Sequence, residues 1–208
     1  MIGEKCKRCR RLGQKLFLKG EKCLSPKCPM IRRAYPPGQK GKRRLGSLSE
    51  YGRELREKQR LRLWYNLKEA QFKKYVKEVL QKRGRGEASE NLIRRIESRL
   101  DNIIFRLGLA GSRTHARQLV VHGFFLINNK KTKSPSYQTK KGDKITITSS
   151  KKKKKAVQEM AVSLKKYPVP SWLKIDKDKI EAEIIGEPFL RDVSPPAEIL
   201  SIFEFYSR

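Results

Sequence analysis

Acidic residues are scarce in this chain: Asp and Glu number 21 against 51 Lys and Arg, a formal net charge of +30 in 208 residues. That much like charge is self-repulsive without an anionic partner, so a merely solvated surface is the weaker reading and nucleic acid the stronger. Histidine is scarcer still, with only His115 and His122. No Gly-rich phosphate loop, nucleophile triad or pair of facing carboxylates accompanies them, and a general base needs an orienting partner and a cleft. The chain therefore reads as a non-enzyme. Apolar residues make up 37%, which suits one or two modest cores. No apolar run approaches the roughly 18 residues of a membrane span, and no secretory apolar segment precedes the cysteines. Cysteine is absent after residue 28.

What is present is unevenly spread. Residues 1–46 hold fifteen Lys and Arg against two Glu, whereas residues 167–208 hold five against eight Asp and Glu. The first 46 residues show little helical or strand periodicity. Their four cysteines, Cys6, Cys9, Cys23 and Cys28, follow a C-x2-C and C-x4-C spacing. Two such knuckles can place four sulfurs around one structural Zn2+, with no open position for catalysis. A disulfide framework, free thiols and an iron–sulfur cluster are the rival readings. Lys7 and Arg8 crowd the first knuckle and are candidate RNA contacts. Beyond it, Tyr35, Pro36 and Pro37 lead into a basic strap of Lys40, Lys42, Arg43 and Arg44, read as an arm that orders on RNA.

A Ser47/Glu50 capping box predicts a helix to about Trp64, with a basic face of Arg53, Arg56, Lys58 and Arg60. Asn66 predicts a break. Phe72, Tyr75, Val76, Val79 and Leu80 follow the spacing of a second helix, which Gly84 and Gly86 end. Ser89 is the expected cap of one long helix whose apolar face runs from Leu92 to Leu107, stopped by Gly108. A short helix from Ser112 to Gly123 sets Arg113 and Arg117 at i and i+4 on one face. A strand over Phe124–Ile127, an Asn128-Asn129 turn, an edge segment at Pro135–Thr139 and a strand over Lys144–Thr148 follow. The Lys151–Lys155 run leads a helix to Leu164. Two strands flank the turn at Asp176–Lys179, and Glu198–Tyr206 forms a final element of unassigned type.

The predicted class is α+β: a zinc-binding basic arm (1–46), an all-helical domain (47–88, completed by 190–208) and an α+β domain (89–189) with a small antiparallel sheet. The RNA-binding module occupies about 99–157. Arg32, Arg33, Arg62, Arg99, Lys130 and Lys133 join the candidate RNA contacts, with His115 as a phosphate contact. Helix-turn-helix binding to DNA is the rival for 92–123. RNA is favoured because the basic surface is spread over three segments, which suits a folded RNA junction.

The segments YPPGQKGKRR (35–44), YGRELREKQRLR (51–62), RLDNIIFRLGLAGSRTHARQLVVHG (99–123), PSY (135–137), KGD (141–143) and FEFYSR (203–208) carry a specific resemblance. In order and spacing they are similar to the bacterial small-subunit ribosomal protein S-four family over nearly the whole chain, and the cysteines resemble its zinc-containing branch. The resemblance implies a primary binder of 16S rRNA at a multi-helix junction that nucleates assembly of the subunit body. It further implies neighbouring small-subunit proteins, a place beside the mRNA path and an influence on translational accuracy. Localisation would be cytoplasmic, in the small ribosomal subunit, with an organellar ribosome left open. Neither a membrane nor a small-molecule substrate is implied. On the module, the family's RNA face falls on Arg113, Thr114, Arg117, Gln118, Asn128 and Tyr137. An RNA-modifying enzyme carrying the same module is the alternative, but too little chain remains for a catalytic domain.

Overall fold

The computed structural model describes all residues except 1, 40, 42–45, 82–84, 152–153, 155–156, 159, 162–163 and 165–166. The described chain divides into two compact units, residues 1–89 with 195–208 and residues 90–194. The arm expected as a separate domain falls within the first of them.

The first unit opens with a helix that the sequence pattern did not suggest, α1 (Ile2–Leu12). Cys9, Leu12 and Leu16 form a small core there, with Leu18, Met30, Leu63 and Trp64 against it. The C-x2-C spacing is thus an i, i+3 pair on a helix rather than a knuckle. A short helix, α2 (Pro29–Arg32), follows with Pro at its start, where a missing N–H costs nothing. Helix α3 (Glu50–Trp64) is capped by Ser49, whose side chain accepts from the Gly52 N–H at 3.2 Å. The cap is two residues later than the Ser47 expected. That leaves Glu50 in the first turn, where the helix dipole favours negative charge. Asn66 takes a left-handed φ of +55° and breaks the chain as expected. Helix α4 (Glu69–Gln81) buries Phe72, Tyr75, Val76 and Val79, whereas Leu80 is exposed.

The C-terminal segment is a helix, Ile199–Ser207, and it packs on α3 and α4. It buries a stripe of α3 that looked basic and outward-facing. Lys58 is buried, pairs with Glu69 at 2.7 Å, and lies 4.7 Å from the Phe205 ring centroid. Glu54 is also buried and receives Arg208 at 2.8 Å. Glu69 gathers Lys58, Arg62 and the Tyr206 hydroxyl. Partial burial works to raise the Glu69 pKa. The hydrogen bonds from Lys58 and Tyr206, with the charges of Lys58 and Arg62, overcome this and hold it below its ordinary value.

In the second unit the expected long helix is two. Helix α5 (Arg85–Glu97) already includes Gly86 and Ser89, so neither the break nor the cap falls where predicted. It ends before Arg99, which is extended (φ −71°, ψ 138°) and bridges Gln138. Helix α6 (Leu100–Arg106) then starts afresh. Its first N–H groups donate to the Tyr137 and Pro135 carbonyls at 2.9 and 3.2 Å, so the 135–139 segment serves as a helix cap. Gly108 ends α6 at φ +77°, where an added Cβ would lie 2.6 Å from Tyr167. Helix α7 (Arg113–Val121) is capped by the Ser112 hydroxyl, as expected. Strands β1 (Phe125–Ile127), β2 (Lys130–Lys131), β3 (Lys144–Ile147), β4 (Leu173–Asp176) and β5 (Glu181–Ile184) form one antiparallel sheet in the order β2-β1-β3-β5-β4. Its inner residues, among them Phe125, Ile127, Ile145, Ile147, Ala182 and Ile184, share a core with α6, α7, Met160 and Leu164. Within the lysine run, Lys152, Lys153 and Lys155 lie outside the described residues, as does Gly84.

A polar network locks α5, α6 and α7. Glu97 is wholly buried and accepts from both ends of the Arg106 guanidinium, at 2.6 and 3.0 Å. It also accepts from the Asn102 side-chain amide, whose oxygen receives Arg113 Nε at 2.8 Å. Replacing Glu97 with Ala removes the buried carboxylate from the part-buried Arg106 and from Asn102 and should cost about 3 kcal/mol, the lower end for breaking a buried pair, measured by urea unfolding. A loss under about 1 kcal/mol, the scale of exposed pairs, would show that the network is not a staple.

Glu69 generates a pH prediction. Its depressed folded-state pKa means that its contribution is present above the unfolded value of about 4.3 and lost as pH falls through the folded value. The stability gap between wild type and Glu69→Gln should therefore be constant at neutral pH and close as pH drops below about 4. A gap that persists unchanged at pH 2–3 would contradict this.

Candidate nucleic-acid interface

Helix α7 offers one apolar and one polar side. Ala116, Leu119 and Val120 are buried, while His115, Gln118 and His122 are exposed and Thr114 and Arg117 are half-buried. Burial of the first set is what turns the second outward. Arg113 shares the helical face expected of it but is only partly available. Besides donating to Asn102, its guanidinium lies 4.5 Å from the Phe105 ring centroid. Arg117 is the more available of the pair.

The β1–β2 hairpin extends this surface. Asn128 and Asn129 adopt φ values of +48° and +63°, so the tight turn forms as expected. The Asn128 side chain is largely engaged in the fold. Its amide donates to Asp143 at 2.8 Å, and its oxygen accepts from the Lys144 N–H at 2.9 Å. Asp143 in turn accepts from the Lys140 N–H at 2.8 Å. This pins the hairpin root and leaves Lys130, Lys131 and Lys133 exposed. An added Cβ at Gly123 would lie 2.8 Å from Lys131 Cε and 3.6 Å from Lys133 Cε. Both lysines therefore lie against the end of α7, where the helix dipole favours cations. Lys131 was not among the residues singled out from sequence; its place opposite the turn is the signal that could have found it. Tyr137 is 39% exposed, and its carbonyl caps α6.

Two predicted contacts are inside instead. Arg99 is 1% exposed and forms a two-point pair with Asp101, at 2.7 and 3.0 Å. Lys58 is held between Glu69 and aromatic rings, as above. Each belongs to the scaffold because a buried cation persists only beside a counter-charge or a π face.

Among the remaining cations of the first unit, Lys7, Arg32, Arg33 and Arg53 are exposed and Arg8, Arg56, Arg60 and Arg62 half-buried. Arg60 pairs with Glu57, and Arg62 with Gln59 and Glu69. Arg10 donates to the Arg33 and Tyr35 carbonyls at 2.8 and 2.9 Å and stacks on the Tyr35 ring. Tyr35 is thus fastened to α1, not left loose. Lys40, Lys42, Arg43 and Arg44 lie outside the described residues.

The four cysteines are free thiols and line one cavity. Burial pushes the Cys9 thiol pKa up, and its neighbours Cys23, Cys6 and Cys28 add to the rise. The donor set suits zinc in kind, since a divalent cation relieves that resistance to ionisation. In arrangement it does not: no group of three or more His, Cys, Asp or Glu side chains among the described residues is placed to hold a metal. The zinc-binding arm expected from the sequence is not supported by this geometry. Helix α1 carries Cys6 and Cys9 one turn apart on one face, in place of the knuckle expected.

Residues 1–97 match the ribosomal protein S4/S9 N-terminal domain, and residues 98–145 match the S4 domain. The chain is 42% identical to the small ribosomal subunit protein uS4 of Halothermothrix orenii over 206 residues, covering 99% of this chain and 98% of the relative. The uS4 proteins of Acetivibrio thermocellus and Thermotoga petrophila are 42% and 41% identical at the same coverage.

If α7 and the hairpin meet phosphate, joint replacement of Arg117, Lys130, Lys131 and Lys133 by Ala should weaken RNA binding. The slope of log K against log salt should flatten by up to about 3, at roughly 0.7–0.9 per phosphate contact. The melting temperature should hold, because none of the four side chains is buried. An unchanged slope would remove this face from the interface. Arg113→Ala, by contrast, should also lower stability, through the loss of its bond to Asn102.

Proposed function

Starting from the premise that the chain belongs to the uS4 family of small ribosomal subunit proteins, we propose that it is a primary binder of 16S rRNA at a multi-helix junction, nucleating assembly of the subunit body. It is a structural ribosomal protein that binds rRNA, and not an enzyme. The observation that carries the reading is that each unit bears exposed cations of its own, on the face of α7 with its hairpin and on the helical unit. The A-form major groove does not admit a helix like α7, so the contacts are phosphates, 2′-hydroxyls and junction shape. We further propose neighbouring small-subunit proteins, a position beside the mRNA path, an influence on translational accuracy and a cytoplasmic location.

A junction fragment of small-subunit rRNA should bind tightly and with steep salt dependence. Equal affinity for random duplex DNA at physiological salt would contradict an RNA-specific function.

We also propose a structural zinc site in the first unit. Cys6, Cys9, Cys23 and Cys28 would hold one structural ion, which would draw their sulfurs together and tie α1 to α2. Metal analysis of reduced, folded protein should then find about one equivalent of zinc, as a four-thiolate site requires. Less than about half an equivalent would overturn it.

A further inference from the structure

Phe17 is unlike the other apolar residues of the first 46. Its φ is +52°, a left-handed backbone that is an outlier for a bulky side chain and easy for Gly. Its ring is 47% exposed. The flanking residues are spent on the fold, with Leu16 buried and Leu18 packed against the Cys9–Leu12–Leu16 core. The Phe17 carbonyl accepts from the Gly20 N–H at 3.1 Å, closing the turn that holds the strained conformation. For stability alone, Gly would serve here as well: it would remove the strain and forfeit only a half-exposed ring. Strain kept together with exposure points to a use outside the fold.

The surroundings indicate which use. Phe17 lines the same cavity as the half-buried Lys15 and Lys19 and the four cysteines, and Lys22 and Lys27 are exposed nearby in the chain. Glu21 is the sole acid between Lys5 and Ser49. Two other apolar side chains of the segment, Leu24 and Ile31, are 70% and 56% exposed. A half-exposed aromatic ring in a basic segment complements a partner with a flat apolar face on an anionic backbone. A protein partner would need a matching set of acids around an apolar centre.

We propose that Phe17 is a stacking platform for an unpaired RNA base, with Lys15 and Lys19 taking the flanking phosphates. This rests on the RNA-binding function above and names a contact within it.

The test compares full-length wild type, Phe17→Ala, Phe17→Gly and Phe17→Tyr for binding to a small-subunit rRNA fragment. Melting temperatures are measured alongside. Ala and Gly should bind about tenfold more weakly, the scale of losing one base stack, with an unchanged salt slope. Tyr should bind like wild type. The Gly variant should melt at or above the wild-type temperature while binding poorly, a combination that a purely structural ring would not produce. Wild-type affinity in the Ala and Gly variants overturns the proposal and leaves the RNA-binding reading intact. Ala and Gly variants that bind the RNA normally but fail to join assembled subunits would show that the ring docks protein, and would also overturn it. No binding by wild type removes both.

Discussion

The buried carboxylate of Glu97 is the constraint on which the rest of the second unit depends. It ends α5, holds Arg106 of α6 and, through Asn102, fixes Arg113 of α7. Without it, three helix ends that all carry arginines would repel one another at close range. A buried ion pair of this kind is weak evidence for net stability over an apolar substitute. Its directionality is what matters here. The two-point grip on Arg106 and the amide relay to Arg113 tie α6 to the start of α7, and the buried Ala116, Leu119 and Val120 then turn the other face of α7 outward.

The same economy of acids recurs elsewhere. With 21 acidic residues against 51 basic, several carboxylates serve as internal staples. Asp101 holds Arg99, Glu54 holds Arg208, Glu69 holds Lys58, and Asp143 pins the hairpin root. Each takes up cations or N–H groups that would otherwise lie unpaired near a core. The cations left over, among them Arg117, Lys130, Lys131 and Lys133, lie at the surface. Four acids, Glu54, Glu97, Asp101 and Asp143, are thereby spent inside the fold, while these cations are left for the partner.

That division explains what could be read from the chain. Turn and cap chemistry was legible: Ser112, Asn128-Asn129, Gly108 and Asn66 take the conformations their residue types favour. The strands alternate as expected, because one face of the sheet is buried. The interruption of the long helix at Arg99 was not legible, since the apolar spacing runs straight through it. What breaks it is a pairing with Gln138, 39 residues away in sequence, together with capping carbonyls from Pro135 and Tyr137. Local periodicity contains no such term. Lys58 is missed as a buried residue for the same reason, because its partners come from the C-terminal helix and α4; Arg99 is drawn in by the same bridge to Gln138, and its neighbour Asp101 neutralises it there. In the first 46 residues the C-x2-C spacing suggested a knuckle, and Leu12, the start of the small core that orders α1, stood among too many charges to register as periodic.

Charge alone cannot give such a protein its specificity. A surface at +30 attracts any polyanion, and phosphate contacts fix position without identifying a sequence or a junction. Discrimination has to come from how rigidly the cations are spaced and from contacts that ignore charge. The Glu97 network supplies the first by holding α7 in one orientation, and the Asn128–Asp143 bond does the same for the hairpin. A flexible display of the same lysines would follow any backbone equally well. The second requires side chains that can tell an unpaired base from a stacked one, and those must be exposed at some cost to the fold. An aromatic held in a left-handed turn at the rim of a basic segment meets that requirement, because its energetic penalty is recovered only when a base covers it.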